Sequence, residues 1–211
     1  MKKQRDLSRA ICLLAVFLLW TAAVRFVDVQ MIGPQGSCVG FATVNRFVHD
    51  LTGVHRTMYT LTDWLGLVPF GFAVGFALLG LTQWIQRKHL AKVDGDILVL
   101  GGFYAVVMAV YVLFEVFPVN YRPVLIDGIL EASYPSSTTM LVLCVMPTTV
   151  MQLRIRMKNE TVKRWVCADV TVFSVFMVIG RLVSGVHWFT DIIGGAILSA
   201  GLVRMYRGLI S

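Results

Sequence analysis

Three short segments of this 211-residue chain gather residue types that can bind an anion and attack phosphorus. The first runs Glu115-Val-Phe-Pro-Val-Asn-Tyr-Arg122-Pro123, and the second Tyr134-Pro135-Ser136-Ser137-Thr138-Thr139. The third is Gly180-Arg181-Leu-Val-Ser-Gly-Val-His187-Trp-Phe-Thr-Asp191. His187 and Asp191 stand four apart and share a face if the last helix begins near Val186. On that geometry Asp191 holds the imidazole. A carboxylate accepting from one ring nitrogen sets the tautomer and leaves the other nitrogen free for nucleophilic attack or proton transfer. Arg122 and Arg181 are planar forks that bind phosphoryl oxygens two at a time and stabilise charge developing on them. Ser136, Ser137 and Thr138, at the start of a helix, add hydroxyls and unpaired backbone N–H groups. Taken singly, each segment has an ordinary reading: a local His–Asp hydrogen bond, an Arg-Pro loop, a helix cap. Ionisable groups beside a membrane are costly, so their convergence on one face favours a functional reading.

The membrane follows from composition. At 57% hydrophobic and 15% charged residues, with a mean hydropathy of +0.74, the chain is too apolar for a water-soluble domain of this size. Apolar segments at about 10–29, 64–85, 97–119, 139–156, 166–184 and 188–207 each approach the ~20 residues that cross ~30 Å of hydrocarbon. The sequence therefore predicts an all-α polytopic bundle of six transmembrane helices, residues 1–211 forming one domain. The first segment, behind Lys2, Lys3, Arg5 and Arg9, also fits a signal peptide with Thr21, Ala22 and Ala23 at its cleavage region. Of the nineteen basic residues, four lie at the N-terminus, three in Arg87–Lys92, five in Arg154–Arg164 and two at Arg204 and Arg207. These fourteen share one side, which the positive-inside rule makes cytoplasmic together with both termini. The three polar segments then lie at the extracytoplasmic face of a cell membrane.

The net charge of +7 is explained by this asymmetry. The basic runs carry no aromatic platform, and nucleic acid is excluded as a partner. Cys12, Cys38, Cys144 and Cys167 lie far apart with no C-x-x-C pair, so they read as packing residues with no metal or disulfide role. Gly71 and Gly75 form a G-x-x-x-G pair, and Gly194, Gly195, Ala196 and Ser199 a second small-residue face, both suited to close helix approach. Val39–Leu51 alternates as a short interfacial helix. His49 and His55 lie on the same face as the three segments, as structural or solvated histidines or as a supplementary acid.

In order and spacing the three segments resemble the motifs of the type 2 phosphatidic acid phosphatase superfamily, K-x6-R-P, P-S-G-H and S-R-x5-H-x3-D. The resemblance covers roughly residues 115–191, and the six-helix layout covers the chain. It implies a membrane lipid phosphatase or diphosphatase in which His187 is the nucleophile and Asp191 its partner. It further implies that Arg122 and Arg181 bind phosphate, that Ser136 and Ser137 line the substrate, and that no cofactor or metal is required. Glu115 stands where the family has lysine, Thr138 where it has the histidine that protonates the leaving group, and Gly180 where it has serine. A threonine is a poor proton donor near neutrality. Two readings stay open: an enzyme whose leaving group needs little protonation, such as a lipid diphosphate of the undecaprenyl type, or a silent relative that binds lipid phosphate or a protein partner. A transporter is disfavoured for lack of repeats or interrupted half-helices. The oligomeric state is not encoded in these features.

Overall fold

A computed structural model describes residues 2–211. Its helices are α1 (Lys2–Phe26), α2 (Ala42–Thr52), α3 (Arg56–Leu65), α4 (Leu67–Arg87), α5 (Gly95–Val116), α6 (Ser137–Arg156), α7 (Glu160–Val183) and α8 (Phe189–Leu209). Among the described residues six helical stretches are long and apolar enough to cross a membrane: α1, α3 with α4, α5, α6, α7 and α8. The protein is an all-α polytopic membrane protein. The six spans agree with the apolar segments, but span two is preceded by α3, which its hydropathy does not mark. Arg56, Thr57, Thr60, Thr62 and Asp63 break up the apolar run there.

Burial separates the helices into a centre and a rim. α6 and α8 are half buried along their apolar windows, whereas α1, α4, α5 and α7 expose most of theirs. The outward residues include Leu18, Val74, Val112 and Val172, a pattern that suits lipid as the surrounding solvent. α1 makes the most extensive pairing, along α8. A Cβ on Gly201 or Gly208 would press on Leu14 or Leu7 of α1, so these small residues let the two helices close. Phe17, Leu100, Phe103, Tyr134, Met140, Leu198 and Tyr206 pack between α1, α5, α6 and α8. The two expected small-residue faces behave differently. Gly194 approaches the Tyr134 ring and Gly195 approaches Ser136 and Thr139, while Gly71 and Gly75 meet no neighbour in this chain.

Alternating crossings gather the loops 27–55, 117–136 and 184–188 at one end, with 88–94 and 157–159 at the other. The first of these is the best built. Residues Gln30–Met31 and Cys38–Val39 pair as a two-stranded ribbon, and the Asp28 carboxylate accepts the Thr43 N–H at 2.8 Å at the start of α2. Buried Asn45 of α2 then grips α8: its Nδ2 donates to Thr190 Oγ1 at 2.9 Å and its Oδ1 accepts the Thr190 N–H at 3.1 Å. The predicted interfacial helix at 39–51 is thus α2, and its register is set by this clamp.

Six crossings put Asp127, in the 117–136 loop, and Asn159, between α6 and α7, on opposite sides. With the four native cysteines replaced, single cysteines at these two positions are expected to react with a membrane-impermeant maleimide from opposite sides only. Labelling of both in intact cells would overturn the span count.

Candidate functional site

The three polar segments meet at the loop-rich end. Residues 120–133 fold back as a hairpin, in which Arg122 N donates to Glu131 O at 3.1 Å and Ser133 N to Asn120 O at 2.9 Å. Its tip is Asp127-Gly128, both at positive φ, a turn conformation that Asp and Gly tolerate. The hairpin is fastened to the third segment by the Trp188 indole, which donates to Tyr121 O at 2.8 Å. α2–α3 are fastened to it by His55 N donating to Ser184 O at 3.0 Å. Gly185 at φ +69 makes that approach possible, because a Cβ there would overlap the Gly53 carbonyl.

Asp191 is fully buried at the start of α8. Its Oδ2 accepts from Trp188 N at 2.9 Å and from Ser133 Oγ at 2.5 Å, and its Oδ1 accepts from Asn120 Nδ2 at 3.4 Å. Ser133 Oγ also lies 3.0 Å from His187 Nδ1. Because α8 begins at Phe189, His187 stands outside the helix and the expected i, i+4 contact does not form. The contact between Asp191 and the imidazole runs through Ser133. A hydroxyl has one proton; given to Asp191, it leaves the oxygen as acceptor and requires a proton on His187 Nδ1. His187 Nε2 then keeps its lone pair.

Nε2 faces Arg181, whose Nη2 is 3.5 Å away. Arg181 is 1% exposed. It donates from Nη1 to Thr62 Oγ1 at 3.4 Å, lies 3.7 Å from Asp63 Oδ1 and sits 5.1 Å over the Tyr59 ring, so three residues of α3 surround its guanidinium. Arg122 pairs with Glu131, Nε to Oε2 at 3.0 Å. Burial lowers the His187 pKa well below the ordinary 6.5, and the positive charges of Arg122 and Arg181 lower it further. The imidazole is therefore neutral at neutral pH, the state a nucleophile needs.

Several buried polar atoms here have no partner: Arg122 Nη1, Arg181 Nε and Ser136 Oγ. Buried donors are seldom left unpaired. Three of them on the segments that meet here fit an anion with several acceptor oxygens, which is the chemistry of a phosphoryl group. Arg122, Ser133, Ser137, Glu131 and Glu115 line a cavity of about 210 Å³ at this end. Of the remaining expected residues, Ser136 is fully buried, Glu115 is exposed at the cavity wall, and half-buried Thr138 lies near Gly66, at the α3–α4 joint. His49 packs against Trp188, ring centroids 5.5 Å apart. Among the described residues no three His, Cys, Asp or Glu side chains gather to hold a metal ion.

Sequence reasoning missed Ser133, Asn120, Glu131, Thr62 and Asp63. Asn120 lies inside the first segment, two residues before Arg122, where a polar residue beside the arginine was the signal, and Ser133 stands one residue before the second segment, which an extension by one residue would have reached. Thr62 and Asp63 carried the signal of polar residues at the outer end of span two, on the same side as Arg181.

Six membrane-crossing helices with a buried histidine and two arginines at one end define the class, a polytopic membrane protein with a cluster of buried polar side chains at one face. The chain belongs to the PAP2 superfamily, the type 2 phosphatidic acid phosphatases, whose family model matches residues 103–209. Among solved structures, a transmembrane PAP2-type phosphatidylglycerolphosphate phosphatase from Bacillus subtilis superposes with a TM-score of 0.67, covering 94% of this chain and 94% of its own at 20% identity. That likeness is one of fold. No curated protein matches the sequence.

Two outcomes are expected. Ser133→Ala removes the relay to His187 and lowers kcat about 10- to 100-fold, as loss of an orienting partner does, with KM little changed; an unchanged kcat would show that the imidazole is oriented without it. The acid limb of kcat/KM, set by protonation of His187 in the free enzyme, lies below pH 6.5, because the folded protein resists charging this ring. The same depression makes stability fall as pH drops through the unfolded value, where only the unfolded chain takes up the proton. A limb at or above pH 6.5 would contradict the burial and arginine effects together.

Proposed function

We propose that the protein hydrolyses a lipid phosphate through a phosphohistidine at His187. The observation that carries this reading is the pairing of an unprotonated Nε2, which faces Arg181 Nη2 at 3.5 Å, with an Nδ1 held through Ser133. A silent binder has no use for an oriented, neutral imidazole. In the first step Nε2 forms a bond to phosphorus as the bond to the leaving oxygen breaks, while Arg122 and Arg181 hold the non-bridging oxygens. In the second, water attacks the phosphohistidine, phosphate departs, and the electron pair returns to Nε2. Ser133 and Asp191 stabilise the positive charge carried by the ring between the steps.

The substrate reading rests on Thr138 standing near Gly66, with no titratable side chain in place of a leaving-group acid. A monoester expels a strongly basic alkoxide, which benefits from a positioned proton donor. A diphosphate expels a phosphate monoester whose second pKa is about 6, which departs largely unprotonated. This favours a lipid diphosphate, of the undecaprenyl diphosphate type, over phosphatidic acid or phosphatidylglycerophosphate. The fourteen-to-five basic asymmetry supports an extracytoplasmic site, on which reading Asp127 is the position expected to label from outside.

The test is phosphate release by the purified protein from a polyprenyl diphosphate, its monophosphate, phosphatidic acid and phosphatidylglycerophosphate. Wild type is expected to prefer the diphosphate in kcat/KM, His187→Ala to lose turnover on every substrate, and Thr138→His to gain selectively on monophosphates. Turnover surviving in His187→Ala excludes the phosphohistidine; absence of turnover in wild type with retained lipid-phosphate binding establishes the silent relative; equal rates on mono- and diphosphate refute the leaving-group argument.

A further inference from the structure

A second feature of the bundle lies at the opposite end of α6. α7 and α8 both pack on α6 but scarcely on each other, and the gap between them is a groove of about 840 Å³. α6 forms its floor, with Leu143, Pro147 and Val150, while Val175 and Ile179 of α7 form one wall. Leu143 to Ile155, both lining the groove, span about 18 Å at ~1.5 Å per residue. That is close to half of the ~30 Å hydrocarbon thickness, one leaflet deep. The hydroxyls within it ask for nothing: Thr171 Oγ1 donates to Cys167 O and Ser174 Oγ to Val170 O, each at 2.8 Å. Its interior is therefore suited to hydrocarbon.

Its mouth is cationic. Arg154 and Arg207 line the end of the groove furthest from His187, and Lys163 and Arg164 line an adjoining recess that also includes Arg154 and Glu160. The carboxylates facing these cations are few. Arg207 Nε lies 3.6 Å from Asp6 Oδ2, a carboxylate it shares with Arg204, and Lys163 pairs with Glu160 at 2.6 Å. Arg154 Nε reaches only the Cys167 sulfur at 3.3 Å, a weak acceptor. An apolar slot one leaflet deep with two arginines at headgroup level is complementary to one class of molecule in a bilayer.

We propose that this groove is a binding site for an anionic phospholipid of the leaflet opposite the active site, one acyl chain lying along α6 and the phosphate held by Arg154 and Arg207. It is separate from the site of hydrolysis, and its occupant needs no scissile phosphate. Filling the gap between α7 and α8 with a chain couples the two helices whose outer ends carry Arg181 and Asp191.

The experiment uses the full chain in a zwitterionic detergent, with affinities measured by native mass spectrometry and thermal shift for phosphatidylglycerol and for phosphatidylcholine of the same acyl chains. Phosphatidylglycerol has no terminal phosphate to be cleaved. It is expected to bind about tenfold or more tighter than phosphatidylcholine, since each arginine near the surface favours an anionic headgroup. Arg154→Gln, and Arg154→Gln with Arg207→Gln, reduce that preference stepwise while turnover of the hydrolytic substrate persists in detergent. Val175→Trp, which fills the groove without touching a charge, lowers affinity for both lipids. Should the double variant fold poorly, Arg154→Gln and Val175→Trp decide the matter alone. The proposal is overturned if the preference survives Arg154→Gln, if Val175→Trp leaves the affinity for both lipids unaltered, or if glycerophosphoglycerol competes as well as the whole lipid; unaltered affinity with a changed oligomeric state in Val175→Trp would make the groove a contact between copies of this chain.

Discussion

The site depends on one buried carboxylate. Asp191 draws its three donors from three places in the chain: Asn120 at the start of the hairpin, Ser133 at its end, and the backbone of Trp188 at the start of α8. A buried carboxylate left short of donors is costly, and removal of one partner of a buried charge typically costs several kcal/mol. The hairpin, the third segment and the last span are therefore held in one arrangement by the need to satisfy this group. The backbone carbonyl of Asp191 extends the same logic to span four by accepting Ser136 N at 3.1 Å, which ties the start of α6 to the start of α8.

Orientation of the His187 ring is a consequence of that satisfaction. Ser133 has a single proton, and the short contact to Asp191 claims it, so the tautomer of His187 follows without any direct contact between imidazole and carboxylate. Burial and the two arginines then keep the ring neutral. The arrangement has a cost in charge: Arg181, enclosed by protein, needs compensation, and α3 supplies it through Asp63, the Thr62 hydroxyl and the Tyr59 face.

Much of this was legible in the chain. Span number, the alternation of loops and the convergence of Arg122, Ser136, Arg181, His187 and Asp191 follow from hydropathy and spacing, because lipid demands continuous apolar helices and antiparallel crossings return every second loop to the same face. The helical coupling of His187 to Asp191 was not legible, since it turned on whether α8 begins at Val186 or at Phe189, and helix boundaries shift easily by a few residues. α3 escaped because it is amphipathic and short, and its role became visible only as the environment of Arg181. The Gly71–Gly75 pair shows the reverse limit: small-residue spacing permits close approach but does not supply a partner, and in this chain none is present.

The departures from the family motifs also take on a physical sense. At Gly180, where the family has serine, a Cβ would lie 2.7 Å from the Thr62 methyl, so the space is filled from α3 and the Thr62 hydroxyl becomes the neighbour of Arg181. The acidic residues follow a common pattern. Glu131 and Asp63 are 35% and 59% exposed, while the arginines they approach, Arg122 and Arg181, are 10% and 1% exposed. Ion pairs with one partner in water are weak. On the proposed function, an arriving phosphate would meet buried arginines that cannot retreat and outward carboxylates that can, and would offer acceptors to the unpaired Arg122 Nη1, Arg181 Nε and Ser136 Oγ. Glu115, also exposed, lines the same cavity as Arg122 and Glu131, so on the proposed function it is a third outward carboxylate that an entering phosphate meets.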